Sequence, residues 1–487
     1  MNDIKEKIDV TQLKKYKQKL NQTDFGRIFY NQPKETKEPH TTEELAHILK
    51  HYHKLGRKVT IRNTGHSVNG QTLTKGTQVN IQNIKHISFK EEAREVKIGA
   101  GITWDEVLRG IHFPKYCLPV FPNEPGQQIK VSGTASVGGL GPYNSKYGGL
   151  WHHIKSLTLV TMTGEIIKCS PKKNADFFKF ALGGFGRIGV ISELTMEVLP
   201  SNKNILLMGL FYHNSKEYLK DLGRMAHDSN LDAVIPQLQL SGTKILQKIG
   251  IHPESLVIIK DIDKNSDISE FVDYIKNEYH DDFIIFAKEK NHSNAEIDVT
   301  QNFVTMPKRD FVYFYPKYYK ENQLKLYHPW STFILDRKHY PLFMEEAEKI
   351  IYKYNMQKYL MKESVLHNLI TADIFISYVL KNIFNNKEFF PLSLDLPQEK
   401  DYALAPNILP SVPLEKIKEG IAMTKELTNL AYELKGKQYL CGLHSLSQNQ
   451  VEKHFGKNII KKWQKIKDEL DPNHLLNIGV IEHLDTK

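Results

Sequence analysis

Residues 62–71 read R-N-T-G-H-S-V-N-G-Q and directly follow a short β-branched run, K-V-T-I, at residues 58–61. A strand that runs into a glycine-bracketed turn of small polar residues presents several backbone N–H groups to one point, as a diphosphate requires. The turn matches neither G-x-G-x-x-G nor the G-K-[ST] of nucleoside-triphosphate loops. The sequence therefore predicts a phosphate-binding turn outside the NAD and P-loop classes.

Two further glycine-rich stretches follow this turn. Residues 131–140 read V-S-G-T-A-S-V-G-G-L and residues 182–191 read L-G-G-F-G-R-I-G-V-I. Such stretches allow the backbone to approach a large flat or phosphorylated ligand closely. A lone histidine such as His66 is more often a hydrogen-bonded turn residue than a catalyst, and only the two companion stretches favour a role at a ligand.

Helical patterns precede and follow the turn. Residues 41–44, T-T-E-E, form a capping signature ahead of Leu45, Leu49 and Tyr52, which share one helical face together with Ile48. Residues 103–111 repeat the helical pattern, whereas residues 118–130 are rich in proline and glycine and predict an irregular loop beside the ligand.

With these motifs in hand, the chain resembles the FAD-binding domain of the p-cresol methylhydroxylase and vanillyl-alcohol oxidase (PCMH-type) superfamily, and within it the cytokinin dehydrogenases. The G-H-S turn followed by Gln71 and both glycine stretches carry the resemblance. Further matching pieces lie along almost the whole chain in the same order: T-D-F-G at 23–26, H-P-W at 328–330, K-Q-Y-L at 437–440, H-F-G at 454–456 and D-P at 471–472.

The resemblance implies an α+β fold with two domains. A lead-in at residues 1–33 would precede a PCMH-type FAD-binding domain at 34–200. A substrate domain with an antiparallel sheet would occupy 201–436, and residues 437–487 would return to complete the FAD-binding domain. The length of 487 residues also suggests two domains, because it exceeds what one core usually serves.

The resemblance also implies the residues that hold FAD and substrate. His66 would bond covalently to the 8α-methyl carbon of the flavin. The other expected cofactor contacts are Gly65, Ser67, Gln71, Ser136, Ile191, Tyr439 and Asn477. For the substrate the expected contacts are Leu440 and His328, although His328 is more simply explained as a residue that braces a strand. Without the resemblance, a simple turn hydroxyl explains Ser136 as well as a cofactor contact does. A core strand residue explains Ile191 equally well.

The implied chemistry is hydride transfer from a C–N bond of an N6-substituted adenine to the flavin, with a side chain accepting the proton. Cytokinin dehydrogenases place an aspartate where this chain has Pro125, so the neighbouring Glu124 is the candidate base, with a solvent-facing loop acid as the alternative. Oxidation of a sugar, aldonolactone or alcohol is the rival reaction. A flavin-binding protein without catalysis is the second rival.

Other departures bear on the substrate. In place of a strand glutamate of the family the chain offers Lys260 or Asp261, and Lys130 replaces a small hydroxyl residue. At Val480 we expect one cofactor hydrogen bond to be lost. Tyrosines suited to stacking on a purine ring cluster at positions 313, 315, 318 and 319.

Composition excludes several classes of protein. The net charge of +10 comes from lysines that are interleaved with acids, so we expect no nucleic-acid partner but a small-molecule substrate. Three cysteines without a C-x-x-C pair predict neither a disulfide framework nor a zinc site, and no metal is expected. With no signal-peptide pattern and no apolar run of membrane length, the expectation is a cytoplasmic protein. The oligomeric state stays open.

Overall fold

A computed structural model gives the three-dimensional structure of the chain. It describes residues 22–121, 129–238, 240, 253–263, 268–279, 296–298, 303–308, 325–360, 363–364, 371–372, 374–380, 402–479 and 481. Over these ranges the chain mixes helices with parallel and antiparallel sheets, an α+β composition. None of the helices in the same ranges combines the length and apolarity that crossing a membrane demands.

The first sheet is small and parallel, and it carries the predicted turn. Its elements are β1 (Glu35–Lys37), α1 (Thr42–Lys54), β2 (Val59–Arg62) and β3 (Thr77–Asn80), with strand order β1-β3-β2. Thr41 caps the N-terminus of helix α1, and its hydroxyl accepts a hydrogen bond of 3.0 Å from the Glu44 N–H. Leu45, Leu49 and Tyr52 are buried on one face, as the sequence predicted.

A second, antiparallel sheet follows. Its segment comprises β4 (Ile87–Lys90), β5 (Glu95–Gly99), α2 (Trp104–Gly110), β6 (Tyr116–Cys117), α3 (Val131–Val137), α4 (Asn144–Tyr147), a 3-10 helix (Leu150–His153), β7 (Ile154–Val160), β8 (Ile166–Cys169), α5 (Ala175–Ala181), β9 (Val190–Glu197) and β10 (Leu199–Pro200). The strand order is β4-β5-β9-β7-β8, and β6 pairs with β10. A capping box of Thr103 and Glu106 opens α2, whose Trp104 and Val107 are buried. The second glycine stretch largely forms α3.

The largest sheet lies in the later part of the chain and is antiparallel. Its segment comprises β11 (Asn204–Phe211), α6 (Ser215–Met225), β12 (Ala233–Leu238), β13 (Glu254–Ile262), α7 (Ile268–Glu278), β14 (Glu296–Asp298), β15 (Phe303–Pro307), β16 (Ser331–Asp336), α8 (Tyr340–Lys353), β17 (Glu363–Ser364), β18 (Thr371–Ala372), β19 (Ile374–Leu380), β20 (Tyr402–Ile408), a 3-10 helix (Leu414–Lys416), α9 (Ile417–Glu433) and β21 (Lys437–Tyr439). In the described residues its order is β14-β15-β11-β13-β12-β19-β20-β16-β21. Strands β17 and β18 pair separately.

The two faces of the large sheet pack against different cores. Val257 and Ile259 of β13 join the apolar cluster that is shared with the second sheet. Leu256 and Ile258 alternate with them and join a cluster with α6, α8 and α9. Because successive strand residues point to opposite faces, helices cover one face, and the other face packs into the cluster that also contains residues of the second sheet.

The end of the chain returns to the first sheet. Helices α10 (Gln448–Phe455) and α11 (Lys457–Leu470) precede an extended segment in which Leu475 accepts a hydrogen bond of 2.8 Å from the Val59 N–H. The N–H of Asn477 donates in turn to the Val59 carbonyl at 2.9 Å. The segment at Leu475 and Asn477 therefore pairs with β2, the strand that enters the predicted turn.

Candidate functional site

Residues 63–71 turn sharply after β2 and depend on glycine to do so. Gly65 and Gly70 have φ values of 76° and 72°, in the left-handed region that other residues rarely adopt. A Cβ atom at Gly65 would lie 2.2 Å from Nη2 of Arg62. A side chain at Gly65 is thus opposed by both backbone conformation and space.

A short segment near the start of the chain holds the turn from behind. The N–H groups of Phe25 and Gly26 donate to the carbonyls of Gly65 and Ser67, both at 2.9 Å. Oδ2 of Asp24 accepts from Oγ of Ser67 at 3.0 Å and from the N–H of Gly70 at 2.7 Å. Four hydrogen bonds therefore tie this segment to the turn.

Asp24 is a buried acid held by hydrogen bonds. Burial raises the pKa of its carboxyl to about 6, while the hydrogen bonds from Gly70 and Ser67 and the positive charge of Arg62 oppose that rise. Arg62 is itself buried and donates from Nη2 to the Thr23 carbonyl at 2.9 Å. Removing the Asp24 carboxylate would leave the donors of Ser67 and Gly70 without this acceptor in a dry environment.

The imidazole of His66 lies in a stack of three rings. The ring of Phe25 is 4.2 Å from His66, with planes 19° apart, and 4.7 Å from His328 on its other side, with planes 16° apart. His328 is fully buried, and its Nδ1 lies 2.9 Å from Oγ of Ser411. The stack fixes the plane of the His66 ring.

A cavity of about 380 Å³ opens beside the turn, within the range of about 300–1,000 Å³ typical of small-molecule sites. All of the residues predicted to contact the cofactor line it: Gly65, His66, Ser67, Gln71, Ser136, Ile191, Tyr439 and Asn477. The structure thus brings together residues that are up to about four hundred positions apart in the sequence.

Tyr439 and Asn477 join the cavity wall to the rest of the fold. The hydroxyl of Tyr439 accepts a hydrogen bond of 2.8 Å from the Gly139 N–H. Oδ1 of Asn477 accepts from the Ile61 N–H at 2.8 Å, and its Nδ2 donates to the Gly186 carbonyl at 3.0 Å. Because the Asn477 side chain is engaged in this way and its N–H donates to Val59, any contribution of Asn477 to a ligand would come from its backbone carbonyl.

Gln71 and Ser136 also have internal partners. Oε1 of Gln71 accepts from the Asn69 N–H at 2.9 Å, so its Nε2 group is the part that can serve a ligand. Oγ of Ser136 donates to the Ser132 carbonyl at 2.8 Å, one turn back in α3, and retains its lone pairs as acceptors.

The opposite wall of the cavity comes from the large sheet. Trp330, Thr332, Asn407 and Leu409 line it, and Oγ1 of Thr332 donates to Oδ1 of Asn407 at 2.7 Å. This polar pair was not anticipated from the sequence. Its members are ordinary strand residues, and only the pairing of β16 with β20 places them together.

Some predicted residues lie away from the cavity lining. His328 and Leu440 are buried behind it, so the direct substrate contacts expected of them have no support in this geometry. Lys260 donates to the Asn230 carbonyl at 2.7 Å, and Asp261 accepts from the Tyr143 hydroxyl at 3.2 Å. Neither belongs to the lining.

Other residues singled out in the sequence analysis fall outside the described residues. These are Glu124 and Pro125, the tyrosines at 313, 315, 318 and 319, and Val480. Among the residues that are described, no group of three or more potential metal ligands occurs.

Comparison with known proteins agrees with this geometry. The family described as "FAD binding domain" matches residues 33–170. Cytokinin dehydrogenase 2 of Arabidopsis thaliana is 25% identical, over 94% of this chain and 90% of its own length. Cytokinin dehydrogenase 9 of Oryza sativa subsp. japonica is 21% identical, over 94% and 87%. An uncharacterized oxidoreductase, ORF5 in the fasciation locus of Rhodococcoides fascians, is 27% identical over 43% of this chain and 48% of its own length.

The chain therefore contains a PCMH-type FAD-binding domain, and FAD is its cofactor. The residues present fit that group. In the described part of the lining there is no carboxylate to repel a diphosphate. A Cβ atom built on Gly133, which lines the cavity, would meet no atom within 4 Å, so the wall leaves room for a large planar ligand.

Proposed function

Because this chain is an FAD-dependent oxidoreductase, we propose that it oxidises a C–N bond of an N6-substituted adenine. The observation that carries the proposal is one cavity whose described lining includes both the glycine-bracketed turn and residues of the large sheet. The turn suits the cofactor and the sheet wall suits a second, planar molecule. Similarity to cytokinin dehydrogenases over 94% of the chain supports the choice of substrate class.

Bound FAD supplies a hydride acceptor, and the chain supplies its placement. We assign His66 as the covalent attachment point. Its ring lines the cavity and is held flat against Phe25, which limits the directions from which a flavin methyl group can approach. Gly65, Ser67 and Gln71 hold the cofactor in this proposal, together with Ser136, Ile191, Tyr439 and Asn477.

For the proton that leaves the substrate we propose Glu124. It lies five positions before Ile129 and six before Lys130, both of which line the cavity. On the sheet wall, the hydroxyl oxygen of Thr332 and the amide of Asn407 would meet the polar edge of a heterocycle, beside the indole of Trp330. These side chains would orient the substrate carbon toward the flavin.

The same proposal divides the chain as the sequence suggested. Residues 34–200 and 437–487 would bind FAD, residues 201–436 would cover it, and residues 1–33 would precede them. The hydrogen bonds between Val59 and the segment at Leu475 and Asn477 support a shared first unit. The presence of Thr332 and Asn407 in the cavity lining supports a large sheet that covers the cofactor.

The test is anaerobic mixing of the purified protein with isopentenyladenine while the visible absorbance of the oxidised flavin is followed. The proposal predicts loss of that absorbance as the C–N bond is oxidised to an imine, and, after hydrolysis of the imine by water, free adenine and an aldehyde. A panel of alcohols, sugars and aldonolactones serves as the comparison. Bleaching by this panel but not by isopentenyladenine would contradict the proposed substrate.

Oxidation of an alcohol or sugar is the second candidate. It is favoured by Pro125 in place of the aspartate of cytokinin dehydrogenases, and by the Thr332–Asn407 pair, which can equally bind hydroxyl groups. A flavin that no compound of either panel bleaches would indicate a non-catalytic flavin-binding protein.

A further inference from the structure

A single lysine is buried in the wall of the cavity. Lys130 immediately precedes α3, has only 7% of its surface exposed and lines the cavity. Its Nζ donates to the Gly101 carbonyl at 2.7 Å. Among the described lining residues, no other lysine, arginine or carboxylate occurs.

The charge of Lys130 is not neutralised within the described part of the chain, where no carboxylate lies within 4 Å of its Nζ. Glu106 exerts an attraction from farther away. The carboxylate of Glu106 is already taken by Nζ of Lys85 at 3.0 Å and by the N–H and hydroxyl of Thr103 at 2.8 and 2.9 Å.

Burial is unfavourable for an ammonium ion that has only a neutral carbonyl as its partner. Desolvation, followed by repulsion from Lys85, lowers the pKa of Lys130 accordingly. A lysine in such a position calls for an anion that the described part of the chain does not supply.

The surroundings of Lys130 include the predicted phosphate-binding turn. Nδ2 of Asn63, at the start of the turn, lies 3.2 Å from Oγ of Ser132 and donates to the Ala100 carbonyl at 2.8 Å. Ser132 is two residues after Lys130, and Ala100 directly precedes the Gly101 carbonyl that Lys130 contacts. The turn and the lysine therefore border the same part of the cavity.

We propose that Lys130 is the counter-ion of the FAD diphosphate. At neutral pH the diphosphate is the only anionic group of the oxidised cofactor, and in the described lining Lys130 alone carries a fixed opposite charge. In this arrangement the ammonium keeps its bond to Gly101 and uses its remaining protons on phosphate oxygens.

The alternative is that Lys130 acts only within the protein, by holding the Gly101 carbonyl. Lys130→Gln separates the two roles, because the glutamine amide can still donate to that carbonyl but carries no charge. Lys130→Arg keeps the charge. Lys75 is exposed and outside the lining, so Lys75→Gln is the matched control for loss of one positive charge.

The experiment uses the full chain carrying His66→Ala, so that FAD binds reversibly, with the flavin stripped before titration. FAD affinity is measured by flavin fluorescence over a series of NaCl concentrations. Circular dichroism of each stripped variant checks that it is folded.

We expect Lys130→Gln to weaken FAD binding by about 10- to 100-fold, as loss of a charged hydrogen bond worth about 1.5–3 kcal/mol implies. The dependence of affinity on salt should become shallower, because one ion pair is gone. Lys130→Arg should keep the steeper dependence, and Lys75→Gln should match the parent. An affinity unchanged in Lys130→Gln, or one that falls with no change in salt dependence, would overturn the proposal.

Discussion

The carboxylate of Asp24 is the part of the structure whose removal should most damage the cofactor turn. It accepts hydrogen bonds from Ser67 Oγ at 3.0 Å, from the Gly70 N–H at 2.7 Å and from the Arg27 N–H at 3.2 Å. It also provides the negative charge near the buried guanidinium of Arg62. Asp24→Ala would leave these three donors without their acceptor and would remove the negative charge near the guanidinium.

The size of the effect follows from these contacts. Each buried donor that is left unsatisfied costs about 1–3 kcal/mol. The costs overlap because the turn can relax. We therefore expect Asp24→Ala to lower the free energy of unfolding by about 2–4 kcal/mol and to reduce the flavin content of the purified protein.

The assay is urea unfolding followed by circular dichroism, with the flavin-to-protein ratio measured in parallel. Asp176→Ala is the matched control, because Asp176 pairs with Lys462 at 2.8 Å on an exposed surface. Exposed pairs of this kind contribute about 0–1 kcal/mol. The reasoning is refuted if Asp24→Ala and Asp176→Ala lose the same stability and retain the same flavin.

Three further predictions concern the turn and the reaction. The pKa of Asp24 is raised to about 6 from an ordinary 3.8, so the folded state holds this proton more tightly than the unfolded state. Between pH 6 and 4, wild type should therefore gain about 2 kcal/mol relative to Asp24→Asn, and parallel stability curves would contradict this. Gly65→Ala should lose flavin because of its positive φ and its clash with the guanidinium, whereas Gly56→Ala, with a φ of 61° but no atom within 4 Å of the added Cβ, should keep it. Glu124→Gln should slow anaerobic flavin reduction by about 10²- to 10⁴-fold with unchanged flavin content, and an equal rate would exclude Glu124 as the base.

Local patterns in the sequence were sufficient for several elements. The T-T-E-E signature predicted the start of α1 at Thr41, and apolar spacing predicted its buried face. The second glycine-rich stretch was predicted to approach a ligand closely, but its sequence did not predict that Val131–Val137 forms a helix. Glycine and the β-branched residues valine and threonine have low helix propensity, so tertiary contacts select that conformation.

The buried charges behind the turn were harder to predict. The T-D-F-G motif at residues 23–26 was recognised as a family match, yet nothing local assigns Asp24 to Ser67 and Gly70. That contact spans more than forty residues and depends on how the first segment folds over the turn. The same reason applies to Thr332 and Asn407, which meet only through strand pairing. The one signal in the sequence was the presence of opposite charges in the two motifs, Asp24 in T-D-F-G and Arg62 at the start of the turn.

The central claim is that FAD lies in this cavity with His66 as its covalent anchor. It is tested by acid precipitation of the purified protein followed by trypsin digestion and mass spectrometry. Cleavage after Arg62 and Lys75 releases the peptide of residues 63–75, which contains His66 as its single histidine. The account predicts that this peptide carries the mass of FAD less two hydrogens, and that His66→Ala abolishes the adduct. Flavin found entirely in the acid supernatant of the wild-type protein would contradict it.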